Sequence, residues 1–257
     1  MTILTYHAID PGWRAPLSVP PDLFARQLAW LQRGRPIVAL DDAVPPSGVA
    51  GPGDAIALTF DDAFTSVYDH AMPILRRMGI PATIFLIAKT LDPTAGGHEV
   101  DWVDRPPAHP LRVLDATQVK ELQAAGVRFG SHSYGHQDLT TLGYEACLED
   151  LRRSRAVLED VLGEPVTALA YPRGRHDETV RRAAADAGFV RSFGLAVPEP
   201  VRGPQAVPRV GVYPADSPWS LWVKTRGWYG RFRASGPYPW LRRRVDRFRP
   251  GAPPSAR

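Results

Sequence analysis

The sequence is poor in cysteine: there is one, Cys147, among 257 residues, so no disulfide can form within the chain. It contains no run of 18 apolar residues, which argues against a transmembrane helix. Its first residues lack the basic start and long apolar segment of a secretory signal peptide. The hydrophobic fraction of 44% indicates a globular protein, and the absence of a signal peptide and of a spanning segment predicts that it stays in the cytoplasm. No residue near Cys147 would activate a thiol, so we expect a buried structural cysteine.

Acidic residues are scarce at the C-terminal end. Residues 224–257 contain ten Lys and Arg against one acid, a net charge of +9, whereas the rest has 21 basic and 26 acidic residues, a net charge of −5. Many aromatic residues share this region: Trp219, Trp222, Trp228, Tyr229, Phe232, Tyr238 and Trp240. We therefore divide the chain into a single domain at 1–215 and a basic, Trp/Arg/Pro-rich extension at 216–257.

Two interpretations of this extension stay open. Tryptophan together with arginine suits a membrane interface, where the ring lies at headgroup level and the cation meets anionic lipid. Peripheral membrane contact through 216–257 is therefore one interpretation. The other is that the aromatic residues pack on the domain and the arginines are solvated. Nucleic acid is not an expected partner, because the rest of the chain is net acidic.

Short β-rich runs alternate with helical ones along residues 1–215. The predicted strands are 3–6, 37–40, 55–60, 81–87, 127–131, 166–171, 190–193 and 207–213. The predicted helices are 21–33, 66–78, 115–125, 144–162 and 177–187. Residues 89–111 are predicted to form a long loop, and loops of that length tend to be functional. The alternation predicts an α/β fold whose mostly parallel sheet closes into a barrel of seven or eight βα units.

Polar residues follow four of the predicted strands. They are Asp61 and Asp62 after 55–60, His132 and His136 after 127–131, His7 after 3–6, and residues 172–174 after 166–171. The carboxyl ends of barrel strands meet at one rim, which is where the active sites of such barrels lie. We therefore expect these side chains to lie close together.

Two imidazoles and one carboxylate suit a divalent metal such as zinc, and three protein ligands leave a coordination position for water. Such a metal lowers the pKa of its water to about 7, and a second carboxylate can take the proton. Residue identity alone does not say which of Asp61 and Asp62 would bind the metal. A lone His or a lone Asp pair would be unremarkable, but together on strand ends they predict a metal site beside a base.

The segments Thr59-Phe60-Asp61-Asp62 and His132-Ser133-Tyr134-Gly135-His136 resemble the first two motifs of the polysaccharide deacetylases, the NodB-homology group of carbohydrate esterase family 4. Tyr171-Pro172-Arg173-Gly174 resembles a variant of their third motif. The resemblance extends over about residues 1–215. It implies a distorted (β/α)7-type barrel, a divalent metal, and removal of N- or O-acetyl groups from a glycan.

Carried onto this sequence, the resemblance implies that Asp61 is the general base and that Asp62, His132 and His136 bind the metal. The backbone N–H of Arg173 would help to stabilise the oxyanion of the tetrahedral intermediate. Zn²⁺ is the expected metal, with Co²⁺, Ni²⁺, Fe²⁺ or Mn²⁺ as alternatives.

The sequence departs from the family pattern at two places. Many members carry an arginine two residues before the third-motif proline, where this chain has Ala170; Arg209 is the candidate substitute. Most members also carry a late histidine as general acid, and here none follows His176. Leu4-Thr5-Tyr6-His7 resembles the N-terminal motif of the poly-N-acetylglucosamine deacetylase branch, so His7 is the expected acid and His176 the alternative.

Further residues are expected near the substrate. They are Tyr171, Pro172, Gly174, Tyr134, which lies between the metal-binding histidines, and Trp102 in the long loop, which would either stack on a sugar ring or pack the loop down. The expected reaction is hydrolysis of an N-acetyl amide on a glycan or glycolipid. An O-acetyl esterase, a small-amide hydrolase and an inactive glycan-binding module are the alternatives. We expect a monomer in the cytoplasm, with a position at the inner face of the membrane as the alternative that contact through 216–257 would give.

Overall fold

The barrel is built from parallel strands in a computed structural model, which describes residues 1–45, 53–95, 107–195, 203–226 and Tyr229. The eight strands are β1 (Thr2–Tyr6), β2 (Ile37–Val38), β3 (Ile56–Phe60), β4 (Thr83–Leu86), β5 (Arg128–Ser131), β6 (Ala168–Ala170), β7 (Arg191–Leu195) and β8 (Val207–Gly211). The α-helices are α1 (Pro21–Gly34), α2 (Leu40–Ala43), α3 (Met72–Met78), α4 (Ala116–Ala124), α5 (Tyr144–Leu162), α6 (Glu178–Asp186) and α7 (Pro218–Lys224).

Seven of these strands close into a ring, because β1 pairs with β3 on one side and with β8 on the other. The order around the ring is β1, β3, β4, β5, β6, β7 and β8, and every one of these pairings is parallel. The short β2 pairs only with the first two residues of β3. The expectation of a distorted seven-stranded α/β barrel is confirmed.

Successive side chains along each strand point to opposite faces of the sheet, and this divides the core into two parts. One set of side chains packs between the strands and the helices and includes Leu4, Leu58 and Ile84. The other set lies on the opposite strand faces and fills the barrel with alanine, β-branched and phenylalanine side chains: Ile3, Ala57, Phe85, Ala168, Ala170, Phe193 and Val207. Leu40 and Ala43 of α2 pack against this second set. The barrel interior is therefore a packed core, and ligands must approach it from the rim.

The helices end where local chemistry stops them. The longest helix, α5, buries Cys147, Leu151 and Leu158 on one face and ends at Gly163, whose φ of 70° is left-handed. The prediction of a buried Cys147 is confirmed, and burial raises the pKa of its thiol to about 11, which makes it a poor nucleophile.

Three local predictions differ from the structure. The second strand stops at Val38 because Leu40 begins α2. The helix expected at 66–78 starts with a π-helical segment, Val67–Ala71, before α3. The long loop contains a 3₁₀ turn, Ala88–Leu91, and its central part, including Trp102, lies outside the described residues.

The first part of the C-terminal extension packs against the barrel. Helix α7 lies against α1, and Leu221 and Tyr229 are buried. Hydrogen bonds from Thr2 and Arg35 to the Thr225 carbonyl join this segment to the chain's N-terminal part. The domain boundary at residue 215 stays a prediction. Within the described residues, no helix has the length and apolar character needed to cross a membrane.

Candidate metal centre and active site

The polar residues that follow the strands come together at the rim of the barrel. Asp61 and Asp62 directly follow β3, and His132 directly follows β5. Asp61, Asp62, His132 and His136 are all buried, with at most 8% of each residue exposed. Charged or imidazole side chains are rarely buried to this extent unless they are paired or bind a ligand.

The backbone at this rim adopts left-handed conformations that are uncommon for residues other than glycine. Five non-glycine residues in the described part of the chain have positive φ: Asp62, Ala63, Ser133, His136 and Arg173. All five lie within or next to the three motifs, at φ values between 53° and 67°. Such conformations are costly for residues with a Cβ and persist where the surrounding structure requires them. The three turns therefore hold their side chains at the rim against a local cost.

Asp62, His132 and His136 form a set of donors that fits a divalent cation. One ligand atom from each lies within 4.8 Å of the others. Asp62 Oδ1 is 3.5 Å from His132 Nε2 and 3.3 Å from His136 Nε2. His132 Nδ1 donates to the Ala170 carbonyl at 2.7 Å, which directs Nε2 toward Asp62. A ligand histidine typically has its other ring nitrogen fixed in this way.

Both histidines of this set are neutral at pH 7. Burial lowers the pKa of His136 to about 2, helped by the nearby His132 ring and the Arg173 cation. Burial also lowers the pKa of His132, against the opposing effect of the Asp61 carboxylate. Neutral imidazole is the form that binds a metal. The protonation states of the two rings therefore suit the role that their geometry indicates.

Asp61 is held by Arg209, which comes from β8 on the far side of β1. Arg209 is 1% exposed and donates from Nη1 to Asp61 Oδ1 at 2.7 Å and from Nη2 to Oδ2 at 2.8 Å. Its Nη1 also lies 3.3 Å from Thr5 Oγ1 and 3.2 Å from Thr59 Oγ1. Burial alone would raise the pKa of Asp61, but Arg209 and His132 outweigh it and hold this pKa below its usual value. Asp61 is therefore a charged carboxylate at neutral pH.

The two adjacent aspartates thus have different environments. Asp61 faces a guanidinium and lies 4.0 Å from His132 Nε2, whereas Asp62 lies closer to both histidine Nε2 atoms. A carboxylate paired with arginine suits a proton acceptor, and one grouped with two imidazoles suits a metal ligand. Arg209, the candidate substitute for the arginine missing at position 170, thus reaches Asp61 from another strand.

Of the two candidate acids, His7 is the one that shares the site. It follows β1 and is half-buried. Burial lowers its pKa to about 4, against the opposing effect of the Asp61 carboxylate, and His132 and Arg209 are also close enough to influence it. His176 has different neighbours: its ring packs against Tyr171 at 5.0 Å, and its Nδ1 is 3.1 Å from Arg181 Nη1.

Support for the second motif comes from helix α5 and was not found in the sequence. Asp150 accepts hydrogen bonds from the backbone N–H groups of Tyr134 at 2.9 Å and Gly135 at 3.4 Å. The Tyr134 hydroxyl donates to Asp92 at 2.8 Å, and the Arg153 guanidinium lies 4.0 Å from the Tyr134 ring centroid. These contacts fix the loop that carries both histidines.

The third-motif residues have unequal access to solvent. Tyr171 is fully buried, and its hydroxyl donates to the Gln205 carbonyl, so in this structure its ring has no surface for a ligand. Pro172 and Gly174 are also buried, whereas Arg173 is exposed at the rim. Gly174 has a φ of 67°, and a Cβ there would lie 2.3 Å from Leu195 Cγ. Glycine is therefore required at position 174.

Comparison with known proteins shows which family this chain matches. Residues 48–191 match the family model described as polysaccharide deacetylase. This range contains Asp61, Asp62, His132 and His136 but neither His7 nor Arg209.

Three known proteins illustrate the similarity. The poly-beta-1,6-N-acetyl-D-glucosamine N-deacetylase of Staphylococcus epidermidis is 26% identical over 172 residues, which cover 62% of this chain and 55% of that protein. The Streptococcus pyogenes deacetylase PplD, solved in complex with acetate, superposes with a TM-score of 0.73 at 25% identity, covering 88% of this chain and 98% of that one. IcaB from Ammonifex degensii gives a TM-score of 0.71 at 28% identity, covering 87% and 96%. The chain spans about half to three-fifths of the length of the curated relatives that it matches.

Proposed function

The chain belongs to the polysaccharide deacetylase family, and from this premise we propose that it hydrolyses the N-acetyl amide of an acetamido sugar in a glycan or glycoconjugate, releasing acetate. One observation carries the proposal: a carboxylate held by arginine, Asp61, directly precedes a carboxylate grouped with two neutral histidines, Asp62. Amide hydrolysis needs a proton acceptor beside a centre that polarises the carbonyl, and this pair supports both roles. The named activity of the staphylococcal relative supports the N-acetyl substrate.

Asp62, His132 and His136 would hold one divalent cation, with Zn²⁺ the best match to a donor set of two imidazoles and one carboxylate. When bound, it would supply Lewis-acid polarisation of the acetyl carbonyl and of the attacking water. The chain's part is to keep the three donors deprotonated and oriented, and the Ala170 carbonyl does this for His132.

Asp61 takes the proton of the attacking water. Arg209 binds both carboxylate oxygens and fixes the plane of the group, so that the base does not need to reorient during the reaction. We assign stabilisation of the oxyanion to the backbone N–H of Arg173, in the left-handed turn after β6.

His7 passes the proton to the leaving nitrogen. Its pKa of about 4 makes it neutral in the free protein at pH 7, so it must first gain a proton. Asp61 interacts electrostatically with His7, and we assign to His7 the proton that Asp61 takes from water. One proton thus passes from water to the amine, and the carbon–nitrogen bond breaks as the amine leaves.

The experiment that tests this proposal compares acetate release from N-acetylglucosamine oligomers with release from an O-acetylated sugar. We expect the protein loaded with metal to release acetate from the amide substrate and the Asp61→Asn variant to lose this activity. Release from the ester alone would replace the proposal with an O-acetyl esterase. Glycan binding without acetate release from either substrate would make the protein a binding module. The cytoplasmic location and the monomeric state stay predictions.

A further inference from the structure

Two tryptophans on α7 form an exposed stacked pair. The rings of Trp219 and Trp222 lie 4.9 Å apart with an interplanar angle of 13°. Trp219 is 69% exposed and Trp222 is 36% exposed, although Leu221 of the same helix is fully buried. Large aromatic side chains in contact with each other but exposed to water commonly mark a surface that meets an apolar phase or a partner.

Arginines lie beside Trp222 of this pair. The Arg226 guanidinium lies 4.1 Å from the Trp222 ring centroid. Arg226 also lines a hollow of about 200 Å³ with Arg33 and Arg35 at the end of α1, and with Trp30 and Trp222. The described lining of this hollow contains no acidic residue. Burial lowers the pKa of Arg35, and the positive charge of Arg226 acts in the same direction, while Asp54 opposes it.

We propose that α7 and the C-terminal end of α1 form a docking surface for an anionic lipid bilayer, with the stacked tryptophans at headgroup level and Arg33, Arg35 and Arg226 on lipid phosphates. This combination of indole rings and cations is the one that the bilayer interface favours. Residues 230–257 directly follow this surface and carry eight Arg and one Asp, a net charge of +7. The charge of the surface and of the chain that continues from it complements an anionic membrane.

A sugar-binding platform explains the surface less well. Stacking on a sugar requires an open ring face, and Trp222 already makes face contacts with Trp219 and Arg226. A bilayer interface makes no such demand, because it accepts indole rings by their edges and by their amphipathic character.

The docking surface lies at the end of the barrel opposite the candidate active site. Ile56, the first residue of β3, lines the hollow, and Asp61 directly follows the last residue of that strand. A strand of this length spans about 17 Å. Docked through α7, the protein would therefore hold its catalytic rim away from the bilayer, toward glycan that extends from the membrane surface.

The test is sedimentation of the full chain with vesicles of phosphatidylcholine, with and without phosphatidylserine. We expect binding that needs phosphatidylserine and weakens with salt. The double variant Trp219→Ala, Trp222→Ala should lower the partition coefficient by about tenfold or more, because the indole rings leave the interface. Arg226→Gln should lower it about fivefold.

Two controls make the result specific. Arg175→Gln removes an exposed arginine that lies beyond the carboxyl end of β6, at the opposite end of the barrel, and should change binding little. Acetate release from a soluble substrate should be unchanged in the tryptophan variant, so a failure of docking is distinguishable from a failure of the proposed chemistry. Vesicle binding that survives the loss of both tryptophans would overturn the proposal and leave binding to the charge of residues 230–257 alone.

Discussion

Replacing Arg209 with methionine should destabilise the fold far more than the loss of an ordinary ion pair. Arg209 is 1% exposed and makes two hydrogen bonds to Asp61, at 2.7 and 2.8 Å. The methionine fills similar space but leaves the Asp61 carboxylate, itself 4% exposed, as an uncompensated buried charge. Breaking one partner of a buried pair typically costs about 3–5 kcal/mol. We therefore expect a loss of that size in the free energy of unfolding.

The assay is urea unfolding of the metal-free protein at pH 7 in the presence of a chelator. The matched control is Arg175→Ala, which breaks a 2.7 Å bond to Asp138 from a side chain that is 68% exposed. An exposed pair of this kind contributes about 0–1 kcal/mol. Adding Asp61→Asn to the methionine variant should recover stability, because it removes the stranded charge.

The pH dependence follows from the same pair. In the wild type the pKa of Asp61 is depressed, so its contribution to stability is present above the unfolded-state pKa of about 4 and is lost as the pH falls further. Without Arg209, burial raises this pKa, and protonation then relieves the buried charge. The gap between wild type and variant should therefore narrow as the pH falls toward 4. An Arg209→Met cost no larger than that of Arg175→Ala would refute the reasoning.

Three further predictions concern individual positions. Gly174→Ala should cost about 1–3 kcal/mol more than Gly79→Ala in thermal unfolding, because both have left-handed φ but only position 174 meets a neighbour. His7→Gln should reduce the rate of acetate release by about 10²-fold or more, and His176→Gln should reduce it only slightly; the opposite order would move the acid role to His176. Asp150→Ala should weaken metal affinity about 10- to 100-fold in a metal titration while the far-ultraviolet circular dichroism stays unchanged, because it frees the second-motif loop. Unchanged affinity would mean that this loop needs no such anchor.

The sequence was sufficient to predict the barrel and the location of its rim. Short β-rich runs of four to six residues followed at once by Asp61, His132 or His7 indicated both the strands and the ends where polar groups would meet. In a parallel barrel the carboxyl ends of the strands share one rim, regardless of the sequences of the loops. The prediction succeeded because it depended only on local pattern and on this rule of topology.

Partners that are distant in sequence were harder to predict. Asp150 has no local feature to separate it from its neighbour Glu149 on α5, because both are acids in a helix, yet only one turns toward the second motif. Arg209 was identified only because the family pattern left Ala170 without its arginine. Tertiary packing decides which distant residue a side chain contacts, and the spacing of apolar residues in the sequence does not reveal this.

Short and irregular elements were also missed. Helix α7 has seven residues, too few for a clear period, and its two tryptophans obscured its one buried residue, Leu221. The π-helical segment Val67–Ala71 buries Val67 and Ala71, four residues apart as in an ordinary helix, so its apolar spacing does not distinguish it from one.

The central claim is that the adjacent aspartates have unequal roles, and one comparison tests it most directly. Zn²⁺ binding and acetate release are measured on the wild type, Asp61→Asn and Asp62→Asn. We predict that Asp61→Asn binds one Zn²⁺ with near-normal affinity and releases no acetate, while Asp62→Asn loses both. Loss of Zn²⁺ binding in Asp61→Asn, with binding retained in Asp62→Asn, would contradict the account.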